Sequence, residues 1–407
     1  PVLTHLFNIC LSTGVFPEKM KHARVSVLYK SGDRNIFSNY RPISILPVIS
    51  KGLEKIIYQR VMSFCEKYSI LSPHQFGFRR GMSTELALLT QKELILNSFE
   101  KKLLTLGVFI DYSKAFDRIN HEVLYAKLRH YGFRGTPLDF LKSYLSQRKQ
   151  SVVINDSQSS LLAITSGVPQ GSILGPLLFN IYINDITSVS KYVDFIIYAD
   201  DTSIFFHGND LGKLADSANN ILNDIFIWST ANYLMINTKK SKAVVFAPVQ
   251  KAVCRGLDIY LGPEKIEVVK EVSSLGVIFN ENLNWDEHVN KVTRNIARTC
   301  GALSKLRQIL PANIKLLLYN TLFSSHINYC SLVWADTSKA NRNKIFLLQK
   351  KAIRHIANVP YDAHTSHLFR EYKILPIDHI HSFNLILKYK QSLLSNNACS
   401  LKLRNLR

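Results

Sequence analysis

Four residues, Tyr198-Ala199-Asp200-Asp201, carry the most distinctive chemistry in the chain. Apolar residues lead in (Val193, Phe195, Ile196, Ile197) and out (Ile204, Phe205, Phe206), so the stretch reads as a hairpin with carboxylates at its tip. Adjacent aspartates repel each other, and folding alone gives no reason to place them there. A divalent cation does, because Mg²⁺ takes hard oxygen ligands; for the dipeptide alone, a solvated turn is the plainer reading. A third carboxylate, Asp111, ends the alternating run Leu104, Leu106, Val108, Ile110, 89 residues earlier. If the apolar runs behind both sites lie in one central sheet, the three carboxylates gather around one point. Two Mg²⁺ ions roughly 3.5–4 Å apart would then suit in-line attack on a phosphate.

The intervening and flanking segments supply the scaffold. Upstream, Val25–Tyr29 reads as a strand and Lys30-Ser31-Gly32-Asp33 as a turn. Arg41 is held extended by Pro42. Residues 48–68 have helical periodicity, Gln75–Gly81 is a glycine-bracketed basic loop, and a helix follows from Thr84 to Phe99. Between the carboxylates lie a helix from His121 to Tyr131 that Gly132 stops, a strand pair within 151–165, and the glycine loop Ser166–Gly171. That loop feeds a helix with Pro176 in its first turn. After the hairpin come a helix to Trp228, a strand at 243–247, a short strand over Leu275–Phe279, and basic helices beyond Trp285.

With 407 residues and 46% hydrophobic content, the chain can build two or three lobes. Lys and Arg number 51 against 30 Asp and Glu, a net charge of +21. Residues 282–407 hold 19 basic and 6 acidic residues and so carry +13 of it. A surface this basic suits a polyanion, nucleic acid before anionic membrane. No apolar run reaches the ~18 residues of a membrane span. The six cysteines are scattered, which argues against a disulfide framework or a zinc knuckle and for a reduced, intracellular protein. The start at Pro1 suggests a piece of a longer protein.

Phe109-Ile110-Asp111-Tyr112-Ser113-Lys114-Ala115-Phe116-Asp117 resembles motif A of reverse transcriptases of non-long-terminal-repeat retrotransposons. Residues 166–171 resemble their motif B and Tyr198–Asp201 their motif C, in the same order and at similar spacing. The likeness runs from Tyr29 to beyond Pro360, and the jockey and chicken-repeat-like group fits best. It implies an α+β right-hand polymerase fold. Residues 1–100 would be an N-terminal extension and fingers, 101–285 the palm (part of 130–165 open to the fingers), and 286–407 a basic helical thumb and the start of a C-terminal region.

The resemblance also implies roles. Asp111 and Asp200 would bind two Mg²⁺, which Mn²⁺ could replace, with the Tyr112 carbonyl as a further ligand and Asp201 in support. Phe116 would be the steric gate against a ribose 2′-hydroxyl. Gln170 and Gly171 would face the incoming nucleotide, Arg41 and Arg79 the triphosphate or template, and Lys240 would protonate pyrophosphate. Lys344, Lys350, Lys351 and Arg354 would grip the nucleic-acid backbone. The implied partners are an RNA template, a DNA primer and dNTPs, in the nucleus for target-primed synthesis and in the cytoplasm for a ribonucleoprotein. Nothing resembles the endonuclease domain of complete element proteins, so the nick is expected from elsewhere. A catalytically silent RNA-binding relic is the alternative from another class.

Overall fold

The computed structural model describes residues 1–155, 157–251 and 256–394; Cys254 and Cys399 lie outside them. In chain order the strands are β1 (His22–Tyr29), β2 (Tyr40–Ile45), β3 (Leu104–Ile110), β4 (Arg148–Ile154), β5 (Ser157–Gln158), β6 (Leu162–Ile164), β7 (Asp194–Tyr198), β8 (Asp201–Gly208), β9 (Lys242–Phe246), β10 (Ile259–Leu261), β11 (Glu264–Val268), β12 (Glu271–Ser274) and β13 (Val277–Asn280). The helices that matter below are α1 (Val2–Thr13), α2 (Val48–Lys67), α3 (Thr84–Glu100), α4 (His121–His130), α5 (Gly135–Leu145), α6 (Leu174–Ile183), α7 (Leu211–Ala231) and α8 (Asp286–Lys305). The fold is α+β, with most strand pairs antiparallel.

The described residues cluster into two compact units. The first holds 1–83, 103–243 and 253–268, the second 84–102, 244–252 and 269–407. Two sheets organise the first. One runs β2-β1-β4-β5 with β6 on β4, and the other runs β10-β11-β9-β3-β8-β7. β3 is buried along nearly its whole length, because it lies inside the second sheet between β9 and β8. Helix α6 is buried almost all round through Leu177, Leu178, Phe179 and Ile181, and α2 and α4 pack against it. Its N-terminus is held by fully buried Glu54 of α2, whose Oε2 accepts the N–H groups of Ile173 (2.8 Å) and Leu174 (3.3 Å). A carboxylate there satisfies orphan helix donors and offsets the helix dipole.

The second unit joins α3 to the C-terminal helices. The Lys92 ammonium of α3 donates to Asp336 Oδ2 and Val333 O, at 2.8 and 2.7 Å. Residues 84–100 cluster with the C-terminal part of the chain. The strand expected over Leu275–Phe279 begins only at Val277. Leu275 (φ 44°) and Gly276 (φ 88°) form the two-residue turn of the β12–β13 hairpin, whose twist favours positive φ at both positions. The helix Lys339–Ala357 packs on α8. Among the described residues no helix is long and apolar enough to cross a membrane. Cys10, Cys65, Cys300 and Cys330 are buried and free.

Candidate active site

β7 and β8 are joined by a two-residue loop, with Tyr198 paired to Asp201 and Ala199 held at φ 57°. A left-handed non-glycine residue costs on the order of 1–2 kcal/mol, so surrounding contacts must hold the turn. β3 runs antiparallel to β8 with Ile110 opposite Thr202. One residue further, the same register carries Asp111 to the level of Asp201. The sheet thus brings together three carboxylates that the sequence places 89 residues apart.

Asp111 is fixed through its backbone. Its N–H donates to Ser241 Oγ (3.1 Å) and its carbonyl accepts from Asn237 N–H (2.8 Å). Ser113 N–H donates to Met235 O (2.8 Å), closing an antiparallel bridge between Tyr112 and Ile236. The Tyr112 side chain is buried, and its hydroxyl shares a hydrogen bond with Ser229 Oγ. The 237–241 turn is therefore docked on the backbone of Asp111, and it carries Lys240 with an exposed side chain. Neighbouring Lys242 is engaged in an ion pair with Glu267.

The electrostatics match the geometry. Burial raises the Asp200 carboxyl above its ordinary range and Asp111 adds to the rise, while the turn backbone, Arg41 and Lys30 oppose it. Desolvation by the surrounding protein, then Asp200 and Asp111, push the Asp201 carboxyl up to about 6, although Asp201 keeps a face open to water. Repelling hard-oxygen donors of this kind fit a divalent cation. Among the described residues no three His, Cys, Asp or Glu side chains enclose an ion by themselves. Mg²⁺ is ordinarily held by one or two carboxylates together with substrate phosphates rather than in an all-protein cage, so the donor set suits it.

The glycine loop is seated on motif A. Gly167 N–H donates to Ile119 O (2.8 Å) and Val168 N–H to Phe116 O (2.9 Å). A Cβ on Gly167 would lie 2.7 Å from the Asp117 backbone, so only glycine fits. Gln170 donates from Nε2 to Asp117 Oδ1 (3.0 Å), which turns its amide toward motif A. Ser44 N–H of β2 donates to Gln170 O (2.7 Å), and a Cβ on Gly171 would sit 2.6 Å from Ser44 O. The half-buried Phe116 ring stacks on Phe179 (4.5 Å, 20°) and takes the edge of Phe78 (6.4 Å, 87°).

The basic residues divide. Exposed Arg41 and Lys30, on the β1–β2 hairpin, act electrostatically on Asp200, and Lys30 acts on Asp201 as well. Sequence reading passed over Lys30 because it opens a turn. Arg79 is drawn into its own loop, its Nη1 donating to Ser72 O (2.6 Å) and Gln75 O (3.2 Å). In the second unit Lys344 and Lys351 are exposed, and Lys350 lies over the Phe346 ring at 4.6 Å. Arg354 donates from Nε to Ala363 O (2.9 Å) and covers Tyr361, so it secures the turn after its own helix. Asp117 and Glu54 carried no sharp sequence signal. Each acts by binding a partner far away in the chain, Asp117 holding Gln170 and Glu54 the start of α6.

Residues 29–279 match the family model described as reverse transcriptase (RNA-dependent DNA polymerase). The chain is 28% identical over 392 residues to a protein named probable RNA-directed DNA polymerase from transposon BS of Drosophila melanogaster, covering 92% of this chain and 42% of that one. It is also 28% identical over 384 residues to the RNA-directed DNA polymerase from mobile element jockey of the same organism, covering 91% and 41%. The chain thus spans under half the length of these relatives. Among solved structures it is similar to apo telomerase from Candida tropicalis, with a TM-score of 0.47 and 10% identity over 94% of this chain and 71% of that one. With its carboxylates, glycine loop and Phe116 ring assembled within the matched span, the chain belongs to the reverse transcriptase (RNA-dependent DNA polymerase) family.

Proposed function

We propose that this chain is the polymerase core of a jockey-like retrotransposon protein, adding dNTPs to a primer 3′-hydroxyl on an RNA template. The observation that carries the reading is the β3–β8 register, which sets Asp111 beside the Asp200–Asp201 turn. Asp111, Asp200 and the Tyr112 carbonyl would hold two Mg²⁺, which Mn²⁺ could replace, with Asp201 in support. When bound, the ions would lower the pKa of the attacking hydroxyl and offset the charge of the triphosphate and of the leaving pyrophosphate.

The chain's own groups do the rest. Lys30 and Arg41 meet the phosphates, Phe116 blocks a 2′-hydroxyl, and Gln170, held by Asp117, faces the base and sugar. Lys240 would supply the proton to the leaving pyrophosphate. Arg79 serves by ordering the loop it is bonded to. Lys344, Lys350 and Lys351 meet nucleic-acid phosphates without reading sequence. An endonuclease acting elsewhere would supply the primer end, in the nucleus, with the ribonucleoprotein assembling in the cytoplasm. The test is template-directed extension of a DNA primer annealed to RNA, in Mg²⁺. RNA binding with a steep salt dependence and no extension would instead support a silent relic.

The carboxyl shifts give a separate prediction. Asp200 and Asp201 have folded-state pKa values above their unfolded ones, so the stability they contribute is present at acidic pH and lost as pH rises through about 6. A cation binds the ionised forms and restores that loss. Saturating Mg²⁺ should therefore raise the Tm by about 1–3 °C at pH 7.5 and hardly at all at pH 5, as read by scanning calorimetry. Equal shifts at both pH values would mean that the ion acts elsewhere.

A further inference from the structure

The segment Gln75-Phe76-Gly77-Phe78-Arg79 lies along the back of the acidic hairpin. His74–Phe76 adds to β7 as a short parallel bridge, with Phe76 N–H donating to Ile197 O (2.7 Å) and Ile197 N–H to His74 O (2.9 Å). Beyond the bridge, the Gln75 side chain turns onto the catalytic loop itself. Gln75 is 1% exposed, and its Oε1 accepts the N–H of Ala199 (3.0 Å) and the N–H of Gly77 (2.8 Å). Ala199 is the left-handed residue of the turn, immediately before Asp200. The segment is itself tied down from two sides. Asn180 Nδ2 of α6 donates to Gly77 O (2.8 Å), and Arg79 Nη1 donates to Ser72 O and Gln75 O. At Gly77 the backbones come so close that a Cβ would lie 2.4 Å from Ala199 N.

We propose that Gln75 is the positioning residue of the catalytic turn: its carboxamide oxygen holds the Ala199 N–H and so fixes where the Asp200 carboxylate stands. The inference rests on the polymerase reading and deepens it. The strain of a left-handed alanine needs an external tether, and no backbone carbonyl of the hairpin itself supplies one, since Tyr198 pairs directly with Asp201. Gln75 supplies it from 124 residues away in the chain. It does so at a cost, because its Nε2 is buried without a partner. Arg79 and Asn180 then act one step further out, keeping the Gln75 segment against β7. A displacement of a reacting group by ~1 Å can lower a rate about 10²-fold, so such a tether has kinetic weight.

The test pairs hydrogen–deuterium exchange with single-turnover extension on the full chain. Gln75→Met keeps side-chain volume and removes the acceptor. It should speed amide exchange in a peptide spanning 196–202 about tenfold, the weight of one net hydrogen bond, while exchange elsewhere stays as in the wild type. It should lower kcat about 10²-fold with little change in the KM for dNTP. Gln75→Glu, which keeps an accepting oxygen, should return the exchange to near wild type. Unchanged exchange at the hairpin in Gln75→Met, or no recovery in Gln75→Glu, overturns the proposal. If Gln75→Met exchanges fast throughout, Gly77→Ala decides: it must loosen the same peptide selectively, and exchange like wild type overturns the proposal. A wild-type chain that does not extend primers defeats the polymerase reading, whereas the exchange comparison still tests the tether.

Discussion

Replacing Asp200 by Asn should lower single-turnover primer extension at least about a thousandfold while leaving RNA binding intact. The substitution keeps shape and removes one hard oxygen donor and one charge. A thousandfold corresponds to about 4 kcal/mol of transition-state stabilisation, within the several kcal/mol that metal-assisted phosphoryl transfer draws from such a site. The structure adds a second readout with the opposite sign. The Asp200 carboxylate is destabilised in the folded chain by burial and by Asp111, so the amide should hold or raise the Tm measured without divalent ions. Loss of activity with a preserved or higher Tm separates a catalytic carboxylate from a structural one. Asp201→Asn should cost less, on the order of 10–100-fold, because Asp201 keeps a face in water and its proposed role is support. Activity within tenfold of wild type in Asp200→Asn would remove the hairpin from the chemistry.

Phe116→Ala should raise ribonucleotide incorporation relative to deoxyribonucleotide incorporation by about 10–100-fold, the range open to a pocket that rejects a substrate merely for carrying one more hydroxyl. A gate works only if it cannot swing aside. The Phe116 ring is braced on two sides, stacked at 4.5 Å on fully buried Phe179 and met edge-on by Phe78. Competition assays with one rNTP against its dNTP give the ratio directly, and Phe116→Val should fall between wild type and alanine. The alanine variant loses a half-buried ring, so a stability cost of about 1–2 kcal/mol is expected below the full core value. That cost changes yield and Tm but leaves the sugar ratio untouched. A ratio unaltered in both variants would mean that the ring packs motif A and does not read the sugar.

The carboxylate motif and the elements behind it were legible because they are written in local patterns. Alternating apolar residues end β3 at Asp111, an i, i+3, i+4 stripe marks α2, and glycines punctuate the loop before α6. The turn at Leu275–Gly276 was misread as strand, since an apolar residue in a positive-φ position looks like any other in a short apolar run. Lys30 was read as part of a turn, and only the β1–β2 pairing sets it with Arg41 toward the carboxylates. Arg79, which the resemblance alone set near the triphosphate or template, has its guanidinium bonded to carbonyls of its own loop.

By itself the sequence determined the candidates for the chemistry: three carboxylates, a glycine loop, a bulky ring five residues past Asp111, and a basic C-terminal stretch. Tertiary structure alone decided how they are held. The Gln75 tether on Ala199, the Asp117 grip on Gln170 and the Glu54 cap on α6 join residues 124, 53 and about 120 positions apart. Periodicity reports the face a residue presents to its neighbours along the chain. A side-chain bond to a distant backbone amide depends instead on register and close approach, which exist only once the sheets have formed.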